Sequence, residues 1–241
     1  MSAPNAGAAD YIELTDYRAK VSSLYADIRS SSASPEDTWL AWCEGRRELL
    51  AAHPQSVFPA ADLPPAPFWK YSPHWRTTGT IIETAVDDLL LEEGDGVIRK
   101  FIGVGNVEFR LGDTTHQLPI YWADSYGGGW LLAFRDNTNG TFTFGSGKYV
   151  LDGAKGADLG VTDDGELIID FNYSYHPSCV WGNWICPLPN PEARLPIAVS
   201  AGESKHEADE IRHGYRCERF NCGAFILDLS LIHISEPTRP Y

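Results

Sequence analysis

The chain has 241 residues, of which 43% are hydrophobic and 22% are charged. These values are near the averages of globular proteins, so they argue against wholesale disorder, and the length fits one large β domain or two small ones. The formal net charge of −14 argues against binding to nucleic acid or to an anionic membrane surface, because both need a basic face on the protein.

The N-terminal residues have neither the basic nor the apolar region of a secretory signal, and no stretch is long and apolar enough to span a membrane. The five cysteines are an odd number, which fits a reducing compartment better than a disulfide framework. We therefore expect a cytoplasmic protein without a structural disulfide between Cys179 and Cys186. The sequence carries no indication of the oligomeric state.

Two amphipathic helices are predicted within residues 1–53, which form an N-terminal helical segment. Apolar residues at helical spacing, beginning with Tyr17 and Val21, predict the first helix over 11–29. Ser34 as the N-cap, Pro35 in the first turn and Asp37 three residues after the cap predict a second helix that ends near residue 53. Its predicted buried face consists of Trp39, Leu40, Cys43, Leu49 and Leu50.

The remainder of the chain is typical of a β protein. Five prolines between residues 54 and 67 predict an irregular connector over 54–76. Short β-rich runs then predict an antiparallel β domain over 77–203, which includes an alternating strand VEFRL, a hairpin around Asn139-Gly140 and a late belt of prolines. The predicted fold class is α+β, a mostly antiparallel β-sandwich or barrel with two N-terminal helices.

The C-terminal segment has a different character. Residues 229–239 read LSLIHISEPTR, which is the translation of a transposase adapter used in DNA library preparation. We interpret residues 229–241 as an adapter-derived artefact, and we expect that their removal leaves folding intact. Residues 204–228 are an extension whose structure the sequence does not predict.

A polar stripe along the segment GELIIDFNYSYHP (165–177) is the main candidate for a functional site. If this segment is one extended strand, Leu167, Ile169, Phe171, Tyr173 and Tyr175 share one face, and Asp170, Asn172, Ser174 and His176 share the other. Most such polar faces are simply solvated. Alternatively, this face is the floor of a pocket beneath the proline belt, with Asp170 and His176 within one water of each other.

Two functions are compatible with such a pocket. The first is a small-molecule-binding module, in which the strand face binds a ligand such as a small anion. The second is a small hydrolase that uses Ser125, or a water activated by Asp170 and His176. In either case we expect a cationic neighbour to lower the pKa of Asp170, and the carboxylate to raise the pKa of His176. The candidate ligand-binding residues are Asp136, Lys148, Tyr149, Asn172, Glu192, Arg194 and Glu203.

Three other motifs are poor matches to the sites that they suggest. Residues 123–127 (ADSYG) resemble a nucleophile elbow around Ser125, but the following glycines continue into another strand, whereas an elbow runs into a helix. Gly145-Ser146-Gly147-Lys148 lacks the spacing of a phosphate-binding loop. The cysteines lack the paired CxxC spacing of a zinc site. The sequence therefore predicts neither a metal nor a cofactor.

Three blocks of the sequence resemble a known family. They are SPEDTWLAWCEGRRELLAAHPQS, YWADSYGGGWLLAFRDNTNGTFTFGSGKYVLD and DFNYSYHPSCVWGNWICPLPNPEARLPIAVSAGE. These blocks are similar to the signature blocks of the prokaryotic family catalogued as domain of unknown function 1684, over roughly residues 11–203. The resemblance implies a shared fold and an unassigned activity. The chain departs from the family's usual residues at His176 (Asn), Lys148 (Arg) and Ala193 (Asn).

Overall fold

Two helices and a seven-stranded antiparallel sheet make up the part of the chain that the structure describes. The structure is a computed structural model, and it describes residues 7–57, 67–93, 96–182 and 184–205. The predicted fold class is confirmed in its barrel form. The adapter-like segment, most of the extension before it and residues 58–66 of the connector lie outside the described residues.

The two helices follow the sequence pattern closely. Helix α1 spans Ala8–Ser30 and helix α2 spans Pro35–Ala52. Ser34 caps α2 as predicted, because its hydroxyl accepts the backbone N–H of Asp37 at 3.1 Å. The prediction for Leu40 was wrong: its exposed fraction is 52%, and Trp42 is buried in its place. The buried stripe therefore runs at i, i+3, i+4 and i+7 from Trp39, and Leu40 lies outside this stripe.

The sheet is a nearly closed barrel. Its strands are β1 (Arg76–Ile82), β2 (Leu89–Glu93), β3 (Val97–Leu111), β4 (Thr114–Ala123), β5 (Trp130–Phe134), β6 (Lys148–Asp152) and β7 (Leu167–Asp170). They are hydrogen-bonded in the order β6–β5–β4–β3–β1–β7. Strand β2 pairs with residues 97–101, at the N-terminal end of β3. An antiparallel bridge between Tyr149 and Tyr175 brings the chain after β7 back to β6, so the two ends of the sheet meet.

The barrel has two apolar faces. Alternate residues of β3, namely Val107, Phe109 and Leu111, point into the barrel, which confirms the alternation read from VEFRL. The outer face of β4, β5 and β6 packs against the helices through an aromatic cluster. Strands β5 and β6 are therefore covered on both sides, which explains their continuous apolar sequences. The cluster includes Tyr17, Tyr25, Trp39, Trp42, Tyr121, Tyr149, Tyr173 and Tyr175.

The predicted hairpin of β5 and β6 is present, but its connection is a long loop over residues 135–147 and not a tight Asn139-Gly140 turn. Side chains within the loop hold it together. The Asn139 amide donates to the hydroxyl of Thr143 at 3.0 Å and to the carbonyl of Phe144 at 2.8 Å. These hydrogen bonds order the loop that leads into Lys148, the first residue of β6.

The polar stripe around Asp170 is not one face of a strand. Strand β7 ends at Asp170, whose Oδ1 accepts the backbone N–H of Asn172 at 3.0 Å, and a 3₁₀ turn follows over Phe171–Tyr173. Such local side-chain hydrogen bonds compete with a continuing strand. Phe171 consequently points into the barrel, whereas Tyr173 and Tyr175 join the helix-facing cluster. The four polar residues of the stripe are all buried, with at most 2% of any of them exposed.

Candidate functional site

A cleft lies between the two helices and the outer face of the barrel, and we refer to it as the helix–barrel cleft. It is partly open to solvent and encloses about 20 Å³, room for about one water molecule. Its apolar side is formed by Val21, Leu50 and Val57. The polar side consists of Tyr17, Arg46, Lys155, Tyr175, His176 and Ser178.

Arg46 reaches the cleft from α2 and is held by a buried carboxylate. Its Nε donates to Oε1 of Glu203 at 2.7 Å, and its guanidinium carbon lies 4.3 Å from the centre of the Tyr175 ring. The second oxygen of Glu203 accepts the backbone N–H of His176 at 2.8 Å. Burial alone would lower the pKa of Arg46, but the attraction of Glu203 outweighs it and raises this pKa. Arg46 is therefore charged at every accessible pH.

Lys155 reaches the same cleft from the 3₁₀ turn Gly153–Lys155 that follows β6. Its Nζ lies 2.7 Å from Oδ2 of Asp152, and the hydroxyl of Tyr175 donates to that same oxygen at 2.9 Å. Burial opposes the charged form of Lys155, yet the pKa of Lys155 is raised because Asp152 is so near. Burial, followed by the charge of Asp152, raises the pKa of Tyr175 well above its ordinary value, so Tyr175 stays a neutral donor.

A glycine allows Glu203 to approach the site. Gly202 has a φ of +72°, and a Cβ at this position would collide with the hydroxyl and carbonyl oxygens of Ser174. The backbone N–H of Glu203 then donates to the carbonyl of Ser174 at 2.8 Å. The close contact fixes the carboxylate of Glu203 between Arg46 and His176.

Comparison with known proteins places this architecture in a family. The sequence profile described as "Protein of unknown function (DUF1684)" matches residues 62–204, which is more than half of the chain. The chain belongs to the DUF1684 family. Its fold is similar to the solution NMR structure of an uncharacterized protein of Haloarcula marismortui, with a TM-score of 0.50 and 24% sequence identity, over 70% of this chain and 95% of that chain. No curated protein matches the chain.

These comparisons assign the fold and no specific activity. The DUF1684 match includes Asp152, Lys155, Tyr175 and Glu203, whereas Arg46 lies in α2, before the matched residues. One cation of the cleft is thus contributed by the barrel of the family and the other by the N-terminal helices. No helix among the described residues is long and apolar enough to cross a membrane. In the same residues, no three His, Cys, Asp or Glu side chains are grouped as metal ligands would be.

Asp170 and Asn172 lie away from the cleft and join elements of the DUF1684 barrel. The second carboxylate oxygen of Asp170 accepts from Arg76 of β1 at 3.2 Å. The amide of Asn172 donates to the carbonyl of Ser72 at 2.9 Å, and its Oδ1 accepts the N–H of Ser72. Burial raises the pKa of Asp170 despite the opposing hydrogen bonds of Asn172 and Arg76. The predicted lowering of this pKa was therefore wrong, because desolvation exceeds the attraction of a half-exposed arginine.

His176 and Ser125 are at opposite ends of the barrel. The Nδ1 atom of His176 lies 3.3 Å from the carbonyl oxygen of Gly147, beside the first residue of β6. Ser125 lies in an exposed turn at the other end of the β5–β6 pair, where β5 begins opposite Asp152. The structure therefore does not bring Ser125 to His176. The contacts of Asp170 lead to β1, whereas those of His176 lead to β6.

The remaining predicted ligand-binding residues are divided between the interior and the surface. Lys148 is fully buried, and its Nζ donates to the carbonyl of Ala201 at 2.6 Å. Asp136 is also fully buried and accepts the N–H of Thr138 within its own loop. Glu192 and Arg194 are exposed at the surface. Tyr149 is buried and donates to the carbonyl of Pro187 at 2.9 Å. Of the predicted ligand-binding residues, Glu203 is the one that contacts a cation of the cleft, Arg46.

Neither cation of the cleft was predicted from the sequence, although a signal existed for each. Arg46 occupies a position of the apolar stripe of α2, seven residues after Trp39, and a charged residue there requires a buried partner. Lys155 is the only basic residue within the acidic stretch 152–170. Pairing the two needed knowledge of how the helices pack on the barrel.

Proposed function

We propose that this DUF1684 protein binds a small anionic molecule in the helix–barrel cleft, through a carboxylate or phosphate group. The observation that carries the proposal is the convergence of Arg46 and Lys155 on one cleft, each fixed by its own buried carboxylate. The site differs from the polar strand face predicted from the sequence, whereas the chemistry of the ligand is the same.

Both cations have hydrogen-bond donors to spare. Among the described residues, the Arg46 side chain makes one hydrogen bond, through Nε, so its two terminal amino groups are available to a ligand. The ammonium of Lys155 uses one of its three donors on Asp152. Charge-assisted bonds to an oxyanion are the strongest use of such donors in a desolvated place. The Ser178 hydroxyl lines the same cleft and offers a further donor.

The net charge of −14 does not prevent anion binding at this place. At physiological ionic strength the Debye length is about 8 Å, so distant surface carboxylates are screened. The nearby carboxylates of Asp152 and Glu203 balance the charge of the two cations, but both cations line the cleft and neither carboxylate does. The cleft has room for about one water molecule, so only the oxygen atoms of a carboxylate or phosphate group would enter it, and the rest of the ligand would lie at its open side. The cysteine composition further supports a cytoplasmic location as part of this proposal.

The proposal is tested by isothermal titration calorimetry of the full chain with orthophosphate and, separately, with succinate. We expect binding at one site, and binding about 10- to 100-fold weaker in Lys155→Met, because a hydrogen bond to a charged group contributes about 1.5–3 kcal/mol. Lys100→Met is the matched control, since Lys100 also lies 2.7 Å from an aspartate but on the exposed side of β3. Equal affinities of the two variants, or no binding of either anion, would contradict the proposal.

A further inference from the structure

Two arginines are neighbours on the outside of the barrel. An isolated parallel bridge pairs Arg135, the residue after β5, with Arg194 of the late proline-rich segment. The backbone N–H of Arg135 donates to the carbonyl of Ala193 at 2.7 Å, and the N–H of Leu195 donates to the carbonyl of Arg135 at 2.8 Å. The two backbones are therefore about 4.8 Å apart, which is the usual spacing of hydrogen-bonded strands.

The side chains of these two arginines point away from the barrel interior. The residues that flank them, Phe134, Ala193 and Leu195, all belong to the apolar cluster that fills the barrel. Because side chains alternate along an extended backbone, Arg135 and Arg194 point to the opposite side, which is the outside. Their exposure agrees with this direction, since Arg194 is exposed and Arg135 is half-buried. Two guanidinium groups thus leave neighbouring backbones in the same direction.

Neither arginine forms an ion pair with a carboxylate of the described residues. Arg135 donates through Nε to the carbonyl of Gly145 at 3.1 Å, and within the described part of the chain the Arg194 side chain makes no hydrogen bond. The carboxylate of Asp136, the next residue, accepts hydrogen bonds within its own loop. By contrast, four other arginines each lie within ion-pair distance of an aspartate or a glutamate, namely Arg29, Arg46, Arg47 and Arg76.

Two like charges that share no counter-charge repel each other. Burial lowers the pKa of Arg135, and the positive charge of Arg194 lowers it further. An anion bound between the two guanidinium groups would replace this repulsion with attraction. The terminal amino groups of both arginines are available for it, and a guanidinium contacts two oxygens of a phosphate or carboxylate at once. The arrangement is therefore suited to an anionic ligand that reaches both arginines.

We propose that Arg135 and Arg194 bind a diphosphate group, with one guanidinium on each phosphate. A single solvent-accessible ion pair increases affinity by about fivefold at most, so one phosphate on one arginine binds weakly. Two linked phosphates contact both arginines together, because the second contact forms at a high effective concentration once the first is made. The site shares no residue with the helix–barrel cleft and is independent of the function proposed for that cleft.

The test is a titration of the ¹⁵N-labelled full chain with inorganic diphosphate, followed by the Nε–Hε signals of the arginines. We expect saturable shifts of Arg135 and Arg194, and the same shifts in Lys155→Met, in which the cleft lacks one cation. Orthophosphate should bind to these two arginines at least about fivefold more weakly, because it has one phosphate. The proposal is overturned if diphosphate does not shift the two signals, or if Lys155→Met abolishes their shifts.

A variant of the exposed arginine tests the pairing. Arg194→Gln should bind diphosphate at least about fivefold more weakly, because one phosphate loses its cation. Arg110→Gln is the matched control, since Arg110 is also exposed but lies opposite Thr115 of β4. Without diphosphate, Arg194→Gln should raise the thermal midpoint slightly, because it removes a repulsion, whereas diphosphate should stabilise the unchanged chain more than this variant. Equal binding by the two variants, or a lower midpoint of Arg194→Gln without diphosphate, contradicts the proposal.

Discussion

Lys148 is a basic residue of the barrel whose surroundings oppose its charge. It is fully buried, and its ammonium donates to backbone carbonyls of the segment that leads to Glu203. Burial lowers the pKa of Lys148 to about 8, although the charges of Asp136 and Glu203 act in the opposite direction. The protonation state of Lys148 therefore affects the free energy of unfolding of the barrel.

Lys148 should make the free energy of unfolding rise with pH above pH 8. Between the folded pKa of about 8 and the ordinary value of 10.5, the unfolded chain binds a proton that the folded chain does not, so deprotonation favours the folded state. We expect the stability difference between the unchanged chain and Lys148→Met to increase by about 2 kcal/mol from pH 8 to pH 9.5, measured by urea denaturation. The corresponding difference for Lys100→Met should stay constant, and a constant difference for Lys148→Met would show that its pKa is not lowered.

At the scale of elements, the Arg46–Glu203 pair joins α2 to the segment after the barrel. The pair is buried on both sides, with 11% and 2% of the two side chains exposed. Removal of one partner from a buried ion pair leaves the other charge without compensation, which costs far more than the pair contributes. The pair thus fixes the position of α2 relative to the barrel.

A double-mutant cycle measures this coupling. Arg46→Met alone should lower the free energy of unfolding by about 3–5 kcal/mol, and Arg46→Met combined with Glu203→Met should cost less than the sum of the two single changes. Arg47→Met is the neighbouring control. Its half-exposed side chain lies 3.7 Å from Glu44, and its loss should cost about 1 kcal/mol or less. Additive single changes would mean that the two groups do not interact in solution.

The elements also show how far the sequence predicts this fold. Cap residues and helical spacing are local signals, and they placed both helices within a few residues. The alternation after Asp170 was misleading because Asp170 accepts two hydrogen bonds from Asn172 where the strand ends. A pattern of apolar and polar residues does not reveal such local hydrogen bonds. The cleft depends on packing between residues more than one hundred positions apart, such as Arg46 and Lys155, so no local pattern predicts it.

For the whole molecule, the helices and the barrel share one core. The aromatic cluster joins Tyr17, Tyr25 and Trp42 of the helices to Tyr173 and Tyr175 of the barrel, with edge-on contacts such as that of Trp42 with Tyr173 at 5.1 Å. The outer face of β5 and β6 would be exposed without the helices. We infer that the two parts depend on each other for stability.

Unfolding should accordingly be a single cooperative transition. Far-ultraviolet circular dichroism, which reports mainly the helices, and tryptophan fluorescence should give the same urea midpoint, and Arg46→Met should shift both midpoints equally. Two separate transitions, or a shift confined to one signal, would show that the helical segment and the barrel unfold independently.

The central claim, anion binding in the helix–barrel cleft, is tested most directly by a titration of the ¹⁵N-labelled chain with orthophosphate or succinate, followed by amide chemical shifts. The account predicts saturable shifts at Lys155, Tyr175, His176 and Ser178, which line the cleft. It also predicts that these shifts are lost in Lys155→Met and kept in Lys100→Met. Shifts centred instead on Asp170 and Arg76, or the absence of saturable shifts with either anion, would contradict it.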